Sequence, residues 1–131
     1  MLTISKKVYE EMIKHCFNSL PYEACGILAG AQKATHIYKI RNIEQSSVSY
    51  FMDPFEQLKA MKDMRTKNIN IIAIYHSHPY GIAYPSQKDR ELAIYEVYYL
   101  IIALEPKIEV RAFIIKNKEF FEAVFKIEEN D

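Results

Sequence analysis

The chain has 131 residues, half of them hydrophobic, with 17 basic and 17 acidic side chains and a formal net charge of zero. That length suits one compact domain over residues 1–131, with a sizeable core. The neutral balance argues against a general nucleic-acid binder and against a polybasic membrane surface. The opening residues MLTISKKVYEEMIK mix charged and apolar side chains, so they carry neither a secretory signal core nor a membrane span. Cys16 and Cys25 alone make no disulfide framework, which points to reduced thiols and a cytoplasmic setting.

Taken in order, SKKVYEEMIKHCFNSL places Val8, Met12, Ile13, Cys16, Phe17 and Leu20 on one helical face, with Ser5 as N-cap and Pro21 as the stop. CGILAG is a short apolar strand bounded by glycines. ATHIYKIRNI alternates as a strand does, and SVSYFM reads as the next one. DPFEQLKAMKDMRTKN opens with Asp53 as N-cap and Pro54 in the first turn, and Phe55, Leu58, Met61 and Met64 form its apolar stripe. INIIAIYHSH is a nearly unbroken β-branched run, expected of a central strand covered on both faces. PSQKDRELAIYE predicts a third helix, and YYLIIAL, IEVRAFIIK and EFFEAVFKI predict three closing strands. The order gives an α/β fold, a central mixed β-sheet flanked by helices.

YHSHPYGIAYPSQKD carries the chemistry. Alternation along a strand sends His76 and His78 to the same face, with backbones roughly 6–7 Å apart. Two imidazoles at that spacing can share one ion. Both sit where a central strand ends. Pro79 is expected to stop further pairing, and Gly81 supplies freedom for the turn. Ser86 suits a helix N-cap, and Asp89 three residues on completes a capping box with Asp in place of Glu. Asp89 therefore points back toward the strand end, where one oxygen can take a backbone N–H and the other an ion. The carboxylate also offsets the positive end of the helix dipole. Each piece alone has a plainer meaning, packing for a His-x-His and capping for a Ser-x-x-Asp. Their combination favours a metal site.

His76-Ser77-His78-Pro79, six residues, Ser86, two residues and Asp89 resemble the signature of the JAMM, or MPN-plus, zinc metalloproteases in their small prokaryotic form. Pro21-Tyr22-Glu23-Ala24-Cys25-Gly26-Ile27-Leu28-Ala29-Gly30 resembles the family's second hallmark, a glutamate before a Gly-rich apolar strand. The resemblance implies a cytidine-deaminase-like α/β fold in which His76, His78 and Asp89 bind one Zn²⁺ ion and water fills the fourth position. It implies Glu23 as general base, although by its residues alone Glu23 is an exposed loop carboxylate. It implies Ser86 as the residue steadying the oxyanion, a role that competes with its N-cap role for one hydroxyl. The implied activity is peptide or isopeptide hydrolysis after the C-terminal Gly-Gly of a ubiquitin-like or sulfur-carrier protein. Tyr80, Ile82 and Tyr84 have two readings, lining the groove for that tail or packing the loop. No nucleic-acid or membrane partner is expected. Oligomeric state stays open, a homodimer included.

Other residues are read as packing or surface. His15 and His36 lack partners at ligand spacing, and Cys25 suits a buried small side chain. Lys59, Lys62, Arg65 and Lys67 form a solvated helix face. Three rivals remain. A non-catalytic scaffold with a structural metal would use Glu23 or Cys25 as fourth ligand. A nucleobase deaminase needs a Pro-Cys-x-x-Cys pair that the chain lacks. A non-haem iron enzyme would share the two histidines and one carboxylate.

Overall fold

The computed structural model describes residues 1–129. Its elements are β1 (Leu2–Ser5), α1 (Lys6–Asn18), β2 (Cys25–Gly30), β3 (His36–Ile40), α2 (Pro54–Lys67), β4 (Asn70–Tyr80), α3 (Gln87–Leu92), β5 (Tyr98–Glu105), β6 (Glu109–Lys116), β7 (Glu119–Ala123) and β8 (Phe125–Glu128). Six strands form one mixed sheet in the order β3-β2-β4-β5-β6-β7. Only the β4–β5 pairing within it is parallel. β1 and β8 pair in parallel as a separate two-stranded sheet.

β4 is central, as its β-branched run predicts, and its alternation sorts two cores. Ala73 and Tyr75 face one side, with Val8, Met12 and Cys16 of α1. Ile74 faces the other, with Ala60 and Met64 of α2 and with Ile101 and Ala103 of β5. The same period continues through the histidines. His76 and His78 follow Ile74, whereas Ser77 follows Tyr75. Gly26, on the neighbouring strand, lies so close to the Tyr75 ring that a Cβ there would overlap it. Across the ring, the Tyr75 hydroxyl shares a 2.6 Å hydrogen bond with His15 Nδ1 of α1. His15 is thus a packing residue with a partner, and burial pushes its pKa down to about 4.

The helix starts follow the sequence. Ser5 caps α1 by accepting the Val8 N–H, and Asp53 caps α2 by accepting those of Phe55 and Glu56. Several expectations are corrected. β4 continues through Pro79, with Tyr80 opposite Glu105, so proline does not end the strand there. Pro79 lies where the ladder asks for no donor, and the Gly81 N–H resumes pairing by donating to the Glu105 carbonyl at 3.1 Å. SVSYFM is not a strand beyond the bridge between Asn42 and Met52. The Asn42 side chain explains it. Its Oδ1 accepts the N–H groups of Glu44 and Phe51, and its Nδ2 donates to the carbonyls of Glu23 and Ser49. One amide therefore takes up backbone groups that a strand would have used.

The third helix stops at Leu92. Beyond it Ala93, Tyr95 and Val97 pack on the core with a period of two, and the Tyr95 N–H donates to the Tyr99 hydroxyl at 2.9 Å. EFFEAVFKI divides at the exposed Val124, its first half closing the large sheet and its second half pairing with β1. The predicted stripe of α2 is also only half buried, because Met64 packs inward while Phe55 and Leu58 are exposed.

Candidate metal centre

Two elements converge at the carboxyl end of β4, the strand itself and α3. His76 and His78 come from the strand, Asp89 from the first turn of α3. His76 Nε2 lies 3.2 Å from His78 Nε2, and Asp89 Oδ2 lies 3.1 Å and 3.0 Å from the two nitrogens. The group lies at the carboxyl end of the parallel β4–β5 pair, the usual position for ligands in open α/β sheets.

The tautomers decide what this triangle lacks. His78 Nδ1 lies 2.8 Å from the Ile82 carbonyl, which can only accept, so Nδ1 carries the proton. A neutral His78 then aims a lone pair from Nε2 at the Asp89 carboxylate and at His76. Lone pairs held this close require a proton or a cation between them. Ligands bound at about 2.0 Å to a tetrahedral ion are separated by about 3.3 Å, close to the edges found here. The Ile82 carbonyl orients His78 as a backbone partner commonly orients a metal-binding histidine. Gly81, with φ of 116°, makes the turn that returns Ile82 to the ring. The donor set and its spacing therefore fit a small divalent cation.

Asp89 does more with one atom than the capping argument suggests. Oδ2 accepts the Ser86 N–H at 2.9 Å and also faces both histidines. Burial would raise its pKa, but the histidines and the Ser86 N–H hold it well below the usual carboxylate range. Burial lowers His76. It opposes the charged form of His78 too, but Asp89 and the Ile82 carbonyl raise His78 overall. The His76 ring is stacked on Tyr50 at 4.6 Å, and its Nδ1 is buried without a hydrogen-bond partner.

Glu23 is 3% exposed and not the open loop carboxylate that its residue context suggests. Its Oε1 is buried and unpartnered. Burial pushes its pKa up to about 8, with His78 and Lys88 opposing the rise and Asp89 and Glu44 adding to it. The carboxyl thus lies within electrostatic reach of the His-His-Asp group. Its backbone is pinned from two sides. The Glu23 N–H donates to the Ser46 carbonyl at 2.7 Å, and the Ala24 N–H donates to Ser77 Oγ at 2.8 Å. Ser77 returns its own N–H to the Ala24 carbonyl at 3.0 Å.

Ser86 is exposed and accepts the Asp89 N–H at 3.1 Å, which leaves its own O–H available to donate. Cys25 faces the same side as His76 but stays apart from the triangle. Its thiol donates to the Ile40 carbonyl at 3.4 Å, and burial pushes it up to about 12. Among the described residues, the only group of three or more His, Cys, Asp or Glu side chains spaced to hold an ion is His76, His78 and Asp89.

Sequence reasoning missed Ser77, Tyr50 and the Ile82 carbonyl. For Ser77 a signal existed: a hydroxyl between two same-face histidines must point into the opposite core and find a partner there. Replacing it with alanine orphans the buried Ala24 N–H. We expect Ser77→Ala to lower stability by about 1–3 kcal/mol in urea unfolding. Full stability in that variant would contradict the tie.

Residues 5–116 match the family described as prokaryotic homologs of the JAB domain, and the chain belongs to that family. A probable TtuB-protein conjugate cleaving protease of Thermus thermophilus is 33% identical over 116 residues, covering 88% of this chain and 76% of the relative. A CysO-cysteine peptidase of Mycobacterium tuberculosis is 34% identical over 108 residues, covering 79% and 73%. A solution structure from Desulfitobacterium hafniense superposes with a TM-score of 0.91 at 39% identity, covering 99% of this chain and 94% of that one. No helix among the described residues is long and apolar enough to cross a membrane.

Proposed function

We propose that this chain is a zinc-dependent peptidase that hydrolyses the bond after the C-terminal Gly-Gly of a ubiquitin-like or sulfur-carrier protein. The observation that carries it is the His76–His78–Asp89 triangle, whose donor set and spacing fit a small divalent cation, beside a buried glutamate with a free oxygen. Relatives named for cleaving such conjugates support the substrate class.

His76, His78 and Asp89 would hold one Zn²⁺ ion, three protein ligands being the catalytic pattern and four the structural one. When bound, the ion supplies Lewis acidity, which eases deprotonation of water and polarises a carbonyl. Glu23 receives the proton that water gives up and passes it to the leaving amine. Its unpartnered oxygen and its burial suit a carboxyl that takes a proton and releases it near neutrality. Ser86 donates its O–H to the oxygen of the tetrahedral intermediate while its lone pairs keep the Asp89 N–H. A Gly-Gly tail is narrow enough to lie extended past the end of β4, where Tyr80 and Ile82 are exposed. The Cys25 thiol is engaged with Ile40, and neither Cys25 nor Glu23 belongs to the group formed by His76, His78 and Asp89, which disfavours a closed structural site.

The test uses zinc-loaded protein and a sulfur carrier extended beyond its Gly-Gly, with the products weighed by mass spectrometry. Release of the extension at the Gly-Gly boundary is expected. An uncut tail under saturating zinc overturns the reading.

A further inference from the structure

We propose that Tyr50 is a positioning residue of the metal centre: the face of its ring holds the plane of His76, the task that a hydrogen bond performs for His78. The role rests on the reading of His76, His78 and Asp89 as a metal centre. The two histidines are supported differently. His78 Nδ1 is fixed by the Ile82 carbonyl at 2.8 Å. His76 Nδ1 is buried and, among the described residues, has no hydrogen-bond partner. What His76 has instead is Tyr50, with ring centroids 4.6 Å apart and planes 26° from parallel. A ligand histidine whose second nitrogen is unheld is free to tilt, and tilting aims Nε2 away from the ion. The flat contact removes that freedom, while the 3.1 Å contact with Asp89 Oδ2 selects the edge of the ring that faces the site.

Tyr50 can hold a ring because its own backbone is clamped on both sides. Asn42 Nδ2 donates to the Ser49 carbonyl at 3.0 Å, and Asn42 Oδ1 accepts the Phe51 N–H at 3.0 Å. The Phe51 carbonyl in turn accepts the Ile43 N–H at 3.0 Å. The same Asn42 Nδ2 donates to the Glu23 carbonyl at 3.1 Å. One amide therefore refers both the ring on His76 and the backbone of Glu23 to a common point. Core filling does not account for an aromatic ring here, because Tyr50 borders an apolar cavity of about 310 Å³ together with Met52, Ile74, Leu92 and Tyr99.

The electronic sense of the contact also suits an ion. A metal-bound imidazole is electron-poor, and the face of a phenol ring carries the negative side of its quadrupole. The stack is therefore stronger with the ion than without it, and that difference is read as metal affinity. An aliphatic side chain of similar length fills much of the space but offers neither a flat face nor a quadrupole. Phenylalanine offers both.

The experiment measures the Kd for zinc, by competition with a chromophoric chelator, on the whole chain and its variants. Y50M is expected to bind zinc about 10–100-fold more weakly, and Y50F to bind it as the unsubstituted chain does. Y99L is the control. Tyr99 borders the same cavity, but its ring meets Phe120 and not His76. That variant should melt earlier in its metal-free form and keep its zinc Kd. Metal-free melting curves confirm that each variant is folded, and Y50L repeats the test if Y50M is not. An unchanged Kd in the aliphatic variants, or a loss of the same size in Y50F or Y99L, overturns the role of Tyr50 and leaves the metal centre standing. No zinc binding by the unsubstituted chain overturns the metal centre and this inference with it.

Discussion

Glu23→Gln is expected to lose about 10²–10⁴-fold in kcat while binding the same amount of zinc. The amide keeps the shape of the carboxyl and leaves His76, His78 and Asp89 untouched, but it can neither take nor pass on a proton. Stability gives a second, independent readout in metal-free protein. Burial raises Glu23 in the folded state to about 8 from an ordinary 4.5. Between those two values the folded chain holds a proton that the unfolded chain has released, so the unfolded state gains stability as pH rises. The contribution is fully present below pH 4.5 and gone above about pH 8. It disappears at up to about 1.4 kcal/mol per pH unit. Glutamine does not titrate. Metal-free Glu23→Gln should therefore match the unsubstituted chain in acid and exceed it by a few kcal/mol at the alkaline end, measured by urea unfolding. A variant that keeps both zinc and full turnover removes Glu23 from the proton path.

The sequence made the site more legible than its surroundings, and the reason is locality. His76, His78, Ser86 and Asp89 fall within a single strand-loop-helix segment, so strand alternation and helix capping are enough to aim them at one point. Glu23 was found by resemblance. Its burial depends on Ser77, Ser46 and Asn42, which approach from elsewhere in the chain and leave no periodic trace. The same distinction separates the elements. α1 and α2 have good caps and form where expected, and β4 forms from its β-branched run although it continues through Pro79. SVSYFM alternates equally well, but the Asn42 amide claims the backbone groups around it. EFFEAVFKI could not reveal its division, because the partner of its second half is β1 at the opposite end of the chain.

Zinc at about 1,000 times its Kd should stabilise the folded chain by about 4 kcal/mol, because the unfolded chain has no assembled site. For a chain of this size that raises Tm by about 10–20 °C. Asp89→Asn should lose most of that shift, and all detectable hydrolysis with it. The argument is concentrated on one atom. Oδ2 accepts the Ser86 N–H and faces both Nε2 atoms, and it carries the only negative charge in the triangle. An asparagine oxygen can still accept the Ser86 N–H, so the start of α3 is kept. Without the charge, however, two neutral imidazoles and an amide must compete with water for a dication. The metal-free variant separates folding from binding. It should unfold more readily than the metal-free unsubstituted chain at neutral pH, because the charge that the histidines and the Ser86 N–H stabilise is lost, so the zinc-induced shift is read within each variant against its own metal-free form. A zinc-induced rise in Tm that survives in Asp89→Asn would mean that the ion is held somewhere other than at the end of β4, and a rise that is missing from the unsubstituted chain at saturating zinc would mean that no ion is held there.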